Sequence, residues 1–239
     1  GSFVSAKWVP QMRGTDEILQ KILRKGGVKY TALTPNLKGF ESALQARVDE
    51  VAVFAAASET FSQKNVNCSI EESLTRFRDI FKKASKEKLP VRGYVSCIVE
   101  CPYEGKVSPK SVLKVASQLL DMGCYEVSLG DTIGKGTPKT TEDLLKVLCS
   151  ELNQKKLAGH FHDTSNMAIR NVEIGLKYGI STFDSAIGGL GGCPYAPGAK
   201  GNLNTRSLIE AFGINSFSKN IDLDKIKFAE KHIGKINQD

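Results

Sequence analysis

The sequence predicts an α/β fold of the TIM barrel type, (β/α)8, with about six strand–helix units present in 239 residues. Short apolar runs alternate with longer amphipathic stretches, which predicts parallel strands joined by helices. The G-x-G-x-x-G loop of dinucleotide-binding sheets follows none of the predicted strands, which argues against an open sheet of that kind. Polar residues lie at the carboxyl ends of several different strands, as in a barrel whose site is built at those ends. They are Ser96, Asp131, His160 and His162.

The predicted strands are short, at 28–34, 51–56, 91–97, 125–130, 157–162 and 180–186. Helices are predicted at 36–47, from 69 onward, and at 108–122, 141–152, 167–178, 203–212 and 223–236. Asn36 is suited to cap the first of these helices, and Ser69 with Glu72 forms a capping box.

Six units are fewer than a closed eight-stranded barrel needs. We therefore expect roughly two strands and one helix to precede Gly1. Residues 1–12 would then form a loop, and the strands at 28–34 and 180–186 would be unpaired edges. We treat residues 1–239 as a single domain.

Composition restricts the classes of partner. The formal net charge is +7, but the lysines are dispersed and no aromatic residues interleave with them, which argues against nucleic acid. No apolar run is long enough to cross a bilayer, so we expect no membrane partner. The six cysteines show neither zinc-site spacing nor a disulfide framework, which favours reduced thiols. A positive field would favour an anionic small substrate.

His160 and His162 give the sharpest indication of chemistry. They occupy alternate positions of a predicted strand and share the face opposite Leu157 and Phe161. Two imidazoles so placed can bind one metal ion; the alternative is a pair of hydrogen-bonded core histidines. We favour the metal site because the pair lies at a strand end. Asp163 is a candidate to orient one of the two rings.

A glycine-rich segment follows the last predicted strand. Residues 188–202 contain six glycines, together with Cys193 and Asn202. A thiol in this position is a candidate proton donor or nucleophile, and the alternative is an incidental thiol in a surface turn. The Asn202 side chain offers an amide oxygen to a hard cation.

Two further strands carry weaker candidates. Arg92, Tyr94 and Ser96 share one strand face, either toward a substrate or as structural filling of the barrel. Asp131 ends another strand, where a carboxylate can act as a base or partner a ligand. Its alternative role is to cap the helix that follows.

These motifs together resemble the 3-hydroxy-3-methylglutaryl-CoA lyase family. The strand His160–Asp163 is also similar to isopropylmalate synthase-like and homocitrate synthase-like barrels, whereas Gly-Gly-Cys-Pro-Tyr-Ala at 191–196 is specific to the lyase. The resemblance also covers 2–5, 7–12, 33–41, 67–73, 92–97, 101–105 and 128–134.

The resemblance implies a reaction and a set of site residues. The reaction is metal-dependent cleavage of the acyl-CoA substrate to acetoacetate and acetyl-CoA, a step of leucine degradation and ketone body formation. The implied ligands of Mg²⁺ or Mn²⁺ are His160, His162 and Asn202. The implied catalytic residues are Cys193, His160 and Asp131, and the implied substrate-binding residues are Tyr94, Ser96 and Asp131.

The resemblance further implies a homodimer, located in the cytoplasm of a bacterium or in the mitochondrial matrix of a eukaryote. The family pattern also includes an Arg-Asp-Gly stretch and a later Glu that are absent here, and it has Tyr-Gly-Gln where this chain has residues 165–167. We therefore expect a polypeptide of residues 1–239 alone to lack useful lyase activity. The alternatives are a catalytically inactive product and a Claisen-type condensing synthase.

Overall fold

Eight strands and nine α-helices lie within the residues that the computed structural model describes, which are 1–7, 9–192, 201–217 and 221–236. The strands are β1 (Thr31–Leu33), β2 (Glu50–Ala56), β3 (Val91–Ser96), β4 (Glu100–Cys101), β5 (Gly105–Lys106), β6 (Val127–Asp131), β7 (Leu157–Phe161) and β8 (Thr182–Phe183). The helices are α1 (Thr15–Lys21), α2 (Leu37–Gln45), α3 (Glu59–Val66), α4 (Ile70–Glu87), α5 (Pro109–Met122), α6 (Pro138–Glu151), α7 (Ala168–Lys177), α8 (Thr205–Phe212) and α9 (Leu223–Ile236). Among these described helices, none is both long and apolar enough to cross a membrane.

Six of the strands are parallel and alternate with helices along the chain: β1, β2, β3, β6, β7 and β8. This pattern confirms the predicted barrel-type α/β fold with six strand–helix units. The chain divides into two compact units, Gly1–Ser96 with Lys110–Ser128 and Cys97–Pro109 with Leu129–Asp239. The boundary falls within β6, so this strand contributes to both.

In the first unit, β1, β2 and β3 pair in parallel, with Thr31 opposite Glu50 and Val51 opposite Val91. Helices α2, α4 and α5 cover these strands with apolar faces. The side chains of Phe40, Ile80 and Leu119 are inaccessible to solvent. Burial of this kind contributes about 1.5–3 kcal/mol for each large apolar side chain.

The edge of β1 differs from the prediction. The backbone N–H of Leu33 donates to the Gly1 oxygen at 2.9 Å, and the N–H of Phe3 donates to the Leu33 oxygen at 2.8 Å. Residues 1–3 therefore pair with β1, and the prediction of a loop there and an unpaired edge is wrong. Strand β1 is also shorter than predicted and begins at Thr31.

The helix starts follow their capping residues. The Asn36 side chain accepts a hydrogen bond from the Gly39 N–H at 2.9 Å, and Ser69 and Glu72 form both bonds of a capping box, as predicted. Helices α1 and α3 were not predicted. Each has only two described buried residues, for instance Phe61 and Ser62 in α3, so the apolar periodicity is weak.

Polar side chains cluster at the amino-terminal ends of the strands of the first unit. The buried Glu50 carboxylate accepts from the Tyr125 hydroxyl at 3.1 Å and from the Thr31 hydroxyl at 3.0 Å, and it lies 3.5 Å from the Lys29 ammonium. Burial, together with the negative charge of Glu50, raises the pKa of Tyr125. This tyrosine is therefore a neutral hydrogen-bond donor at physiological pH.

The second unit contains the remainder of β6, with β7, β8 and helices α6 to α9. Strands β7 and β8 pair in parallel, with Ala158 opposite Thr182 and Gly159 opposite Phe183. Strand β8 is much shorter than predicted, and a 3-10 turn follows at Ile187–Gly189, with Gly188 at a φ of 66°. Strands β4 and β5 form a small antiparallel hairpin.

Candidate active site

His160 and His162 lie at the carboxyl end of β7, with their ring centroids 5.5 Å apart and their planes inclined by 51°. The intervening Phe161 packs instead against Phe183, with ring centroids 6.3 Å apart. The predicted alternation of side chains is therefore observed. The two imidazoles are close enough to act on one atom placed between them.

Glycine fixes the register of β7 against β8. A Cβ atom at Gly159 would lie 2.8 Å from a ring carbon of Phe183, closer than real Cβ atoms approach their neighbours. The Asp184 N–H donates to the Gly159 oxygen at 2.8 Å, which holds the residue after β8 beside His160. The aromatic ring thus occupies one face of the strand pair and leaves the other to polar side chains.

Asp184 is a site residue that the sequence analysis missed. One of its carboxylate oxygens lies 3.2 Å from Nδ1 of His160. The sequence predicts such a role for Asp163, but that carboxylate accepts a hydrogen bond from the Ala168 N–H at 3.0 Å, at the start of α7. The missed signal was a carboxylate directly after β8, at the same end as the histidines.

His162 is 6% exposed, and its Nδ1 atom is buried without a hydrogen-bond partner among the described residues. Burial lowers the pKa of His162 to about 4, and the neighbouring His160 adds to this. Weaker hydrogen bonding of the ring to the Asn202 side chain and to the Thr132 backbone opposes the shift. His162 is therefore a neutral imidazole at physiological pH, the form that can bind a cation.

Asn202 lies beside this ring. It forms an antiparallel backbone bridge with His162, and its N–H donates to the Gly191 oxygen at 2.9 Å. Its side-chain nitrogen donates to the Leu190 oxygen at 2.8 Å, which turns the amide so that its oxygen is available as an acceptor. This hydrogen bond identifies which atom of the Asn202 side chain is the nitrogen and which is the oxygen.

The chain is closely packed where it returns to the site. A Cβ at Gly201 would lie less than 3.0 Å from the backbone oxygens of Gly189 and Gly191, so no larger residue fits without movement. The Gly201 oxygen accepts from the Asp163 N–H at 3.3 Å. Cys193, the predicted catalytic thiol, lies outside the described residues.

Asp131 is 1% exposed at the end of β6. Its carboxylate accepts from the Gly136 N–H at 2.7 Å and the Lys135 N–H at 3.1 Å, and so shapes the loop before α6. Burial raises the pKa of Asp131 to about 6, although these two amides oppose the shift. The alternative role as a helix cap is wrong, because Thr137 caps α6.

Tyr94 and Ser96, the predicted substrate-binding residues, are half-buried on β3 in the first unit. Nη1 of Arg92 donates to the Tyr94 hydroxyl at 2.5 Å, and its guanidinium carbon lies 4.9 Å from the centre of that ring. Nε of Arg92 donates to Glu126 at 2.8 Å. Arg92 is therefore part of a buried ion pair that also fixes the Tyr94 hydroxyl.

The donor set at β7 fits a divalent cation. Two imidazoles and one amide oxygen are suitable ligands, and a buried ring nitrogen without a partner is costly unless a ligand occupies it. Within the described ranges, no group of three or more His, Cys, Asp or Glu side chains is placed to hold a metal ion. The three neutral donors therefore call for further oxygen ligands, from solvent or substrate.

The fold and this site define a barrel-type α/β protein with paired histidines at a strand end. Residues 4–233 match the model of the HMGL-like family, and the chain belongs to that family. It is 52% identical to hydroxymethylglutaryl-CoA lyase of Pseudomonas mevalonii over 226 residues, which are 95% of this chain and 75% of the relative. It is 51% identical to the mitochondrial hydroxymethylglutaryl-CoA lyase of Bos taurus, over 94% of this chain and 69% of the relative.

Solved structures agree with this assignment. The crystal structure of the HMG-CoA lyase from Brucella melitensis superimposes with a TM-score of 0.95 at 47% identity, over 100% of this chain and 84% of that one. An HMG-CoA lyase from Acinetobacter baumannii, in complex with coenzyme A and 3-methylmalate, gives a TM-score of 0.88 at 34% identity, over 95% and 74% of the two chains. The predicted resemblance to this lyase family is confirmed, and the condensing-synthase alternative is not favoured.

Proposed function

We propose that this protein cleaves 3-hydroxy-3-methylglutaryl-CoA to acetoacetate and acetyl-CoA. The observation that carries the proposal is the juxtaposition of His160, His162 and Asn202 in a chain about 50% identical to lyases of that name. The structure of the Acinetobacter baumannii relative with coenzyme A supports an acyl-CoA substrate.

His160, His162 and Asn202 would hold the cation, which we propose to be Mg²⁺ or Mn²⁺. When bound, the cation supplies positive charge that lowers the pKa of the tertiary hydroxyl of the substrate. His162 presents a neutral ring, because burial depresses its pKa. A neutral imidazole has one lone pair, so a histidine that binds the cation cannot also take a proton. We therefore assign the ligand role, rather than the base role, to His160.

The proton balance needs one base and one acid. The base takes the proton of the tertiary hydroxyl, the carbon–carbon bond then breaks, and its electron pair moves into the enolate of acetyl-CoA. The new ketone belongs to acetoacetate. We propose that Cys193 donates a proton to the enolate carbon, which completes acetyl-CoA. The support for this role is the family resemblance of residues 191–196 and the sequence position of Cys193, two residues after Gly191, whose oxygen accepts from the Asn202 N–H.

We propose Asp131 as the base. Its raised pKa of about 6 leaves it ionised at neutral pH yet basic enough to accept a proton. Its two backbone hydrogen bonds also give it a structural role in the loop before α6. Asp131→Asn separates these roles, because the amide oxygen keeps one acceptor but cannot take the proton.

Tyr94 and Ser96 are proposed to contact the substrate, in line with the family resemblance. The formal charge of +7 favours capture of an anionic acyl-CoA. A homodimer, and a location in a bacterial cytoplasm or a mitochondrial matrix, remain predictions. Relatives include mitochondrial lyases and a cytoplasmic one from Mus musculus.

The test is an assay of the natural full-length protein, with its intact mass measured, in the presence of excess Mg²⁺ or Mn²⁺. We expect acetoacetate and acetyl-CoA to form in equal amounts and His162→Gln to abolish both. His232→Gln is the matched control, because His232 is exposed on α9 and should leave the rate unchanged. Failure of the wild-type protein to release acetoacetate, or full activity of His162→Gln, would overturn the proposal. The same assay on residues 1–239 alone tests the prediction that this polypeptide is inactive.

A further inference from the structure

We propose that Asp184 is a positioning residue for His160. Its carboxylate accepts the Nδ1–H of the ring and thereby directs the Nε2 lone pair into the cation site. The inference rests on the cation site of the proposed function. It assigns a role to a residue that the sequence motifs did not indicate.

The first support is the direct contact, in which Asp184 Oδ2 lies 3.2 Å from His160 Nδ1. The two side chains are 21% and 29% exposed, so neither is an open surface group. A carboxylate has acceptors only, so the ring must provide the proton of this hydrogen bond. A neutral ring that carries its proton on Nδ1 has its lone pair on Nε2, where a cation can bind.

The second support is the way the backbone holds Asp184. Its N–H donates to the Gly159 oxygen at 2.8 Å, one residue before His160. The preceding Phe183 packs over Gly159, on the face away from the histidines. Side chains alternate along the chain here, so this anchoring directs the Asp184 carboxylate toward the histidine face.

The third support is that Asp163, the carboxylate next to the two histidines in sequence, has a different hydrogen-bond partner. Asp163 directly follows His162, but its side chain accepts from the Ala168 N–H and holds the first turn of α7. The two aspartates thus have separate tasks. Because Asn serves a helix start as well as Asp does, Asp163→Asn is a control that keeps its local hydrogen bond.

The first experiment is nitrogen-15 NMR of the imidazole rings in the metal-free protein, at a pH of about 8, which lies above the ordinary pKa of an imidazole. The chain has only three histidines, which makes assignment direct. We expect His160 to carry its proton on Nδ1 in the wild-type protein and in Asp163→Asn. In Asp184→Ala the proton should redistribute toward Nε2.

The second experiment measures Mn²⁺ affinity by electron paramagnetic resonance. Loss of a partner that orients a metal-binding histidine raises the dissociation constant by about 10- to 100-fold. We expect a rise of that size for Asp184→Ala, a smaller one for the isosteric Asp184→Asn, and a change below about twofold for Asp163→Asn. Asp184→Asn keeps the test valid if the alanine variant folds poorly.

The outcomes separate this inference from the proposed function. A His160 ring protonated on Nε2 in the wild-type protein, or unchanged Mn²⁺ affinity in both Asp184 variants, would overturn the inference. Absence of Mn²⁺ binding by the wild-type protein would overturn the inference as well. Mn²⁺ binding that depends on Asp184, in a protein that releases no acetoacetate, would support the inference and remove the lyase proposal.

Discussion

Gly201 offers the most demanding test of the site geometry. In Gly201→Ala, the added methyl group would meet the backbone oxygens of Gly189 and Gly191 at less than 3.0 Å. The Gly191 oxygen accepts the hydrogen bond from the Asn202 N–H, so moving this oxygen away from the methyl group would break that bond. Overpacking costs about 1–3 kcal/mol and the lost hydrogen bond about 1 kcal/mol, so we expect a loss of roughly 2–4 kcal/mol.

Two measurements test this prediction. Urea unfolding gives the free energy of unfolding of the variant, and Mn²⁺ titration of a separate, folded sample gives its metal affinity. Displacement of Asn202 should weaken Mn²⁺ binding in addition to lowering the free energy of unfolding. Gly188→Ala is the control for an added methyl group without a clash: its φ is positive, at 66°, but apart from its chain neighbours nothing among the described residues lies within 4 Å of the added methyl group. That variant should lose only about 1 kcal/mol and bind Mn²⁺ normally. Equal stability and equal Mn²⁺ affinity in the two variants would refute the reasoning.

Three further predictions concern other parts of the chain. Glu126→Ala removes the carboxylate that pairs with the buried Arg92 guanidinium, and we expect urea unfolding to show a free energy of unfolding lower by about 3–5 kcal/mol. Asp143→Ala is the control, because it removes an exposed ion pair and should change the free energy of unfolding little. Burial raises the pKa of Cys124 to about 12, so iodoacetamide at pH 8 should alkylate it only after unfolding; peptide mass spectrometry that finds it labelled in the native protein would contradict this. Cys193→Ser should reduce acetoacetate release by about 10²- to 10⁴-fold and leave Mn²⁺ affinity nearly intact, and wild-type turnover in this variant would exclude the thiol from the mechanism.

Local signals predicted much of the fold. The caps at Asn36 and Ser69 fix helix starts through side-chain bonds to backbone only a few residues away, and both were predicted. Helix α9 was predicted with its observed bounds. Pairing across the chain was not predictable in this way. The contacts of Gly1 and Phe3 with Leu33 join segments about 30 residues apart, and no local sequence pattern predicts them.

In the site, too, the features set by local sequence were predictable and the contacts between distant segments were not. Alternation along one strand was enough to place His160 and His162 on one face, because that rule depends only on backbone geometry. Asp163 was predicted to orient one of the two rings, but its carboxylate accepts from the Ala168 N–H, because sequence proximity is a poor guide to side-chain contact. Asp184 reaches the ring from the neighbouring strand, through a register that depends on Phe183 packing over Gly159.

The fit of Phe183 over Gly159 has a consequence for how this protein can be altered. Because side chains alternate, a shift of β7 by one residue would turn Phe161 into the site and bury both histidines under the helices. Only glycine at position 159 leaves space for the aromatic ring, so the same small residue that allows tight packing also prevents that shift. Changes of metal preference are therefore best sought by replacing the side chains at 160 and 162. Insertion or deletion of one residue in β7 would instead place apolar side chains of this strand where the two histidines now lie.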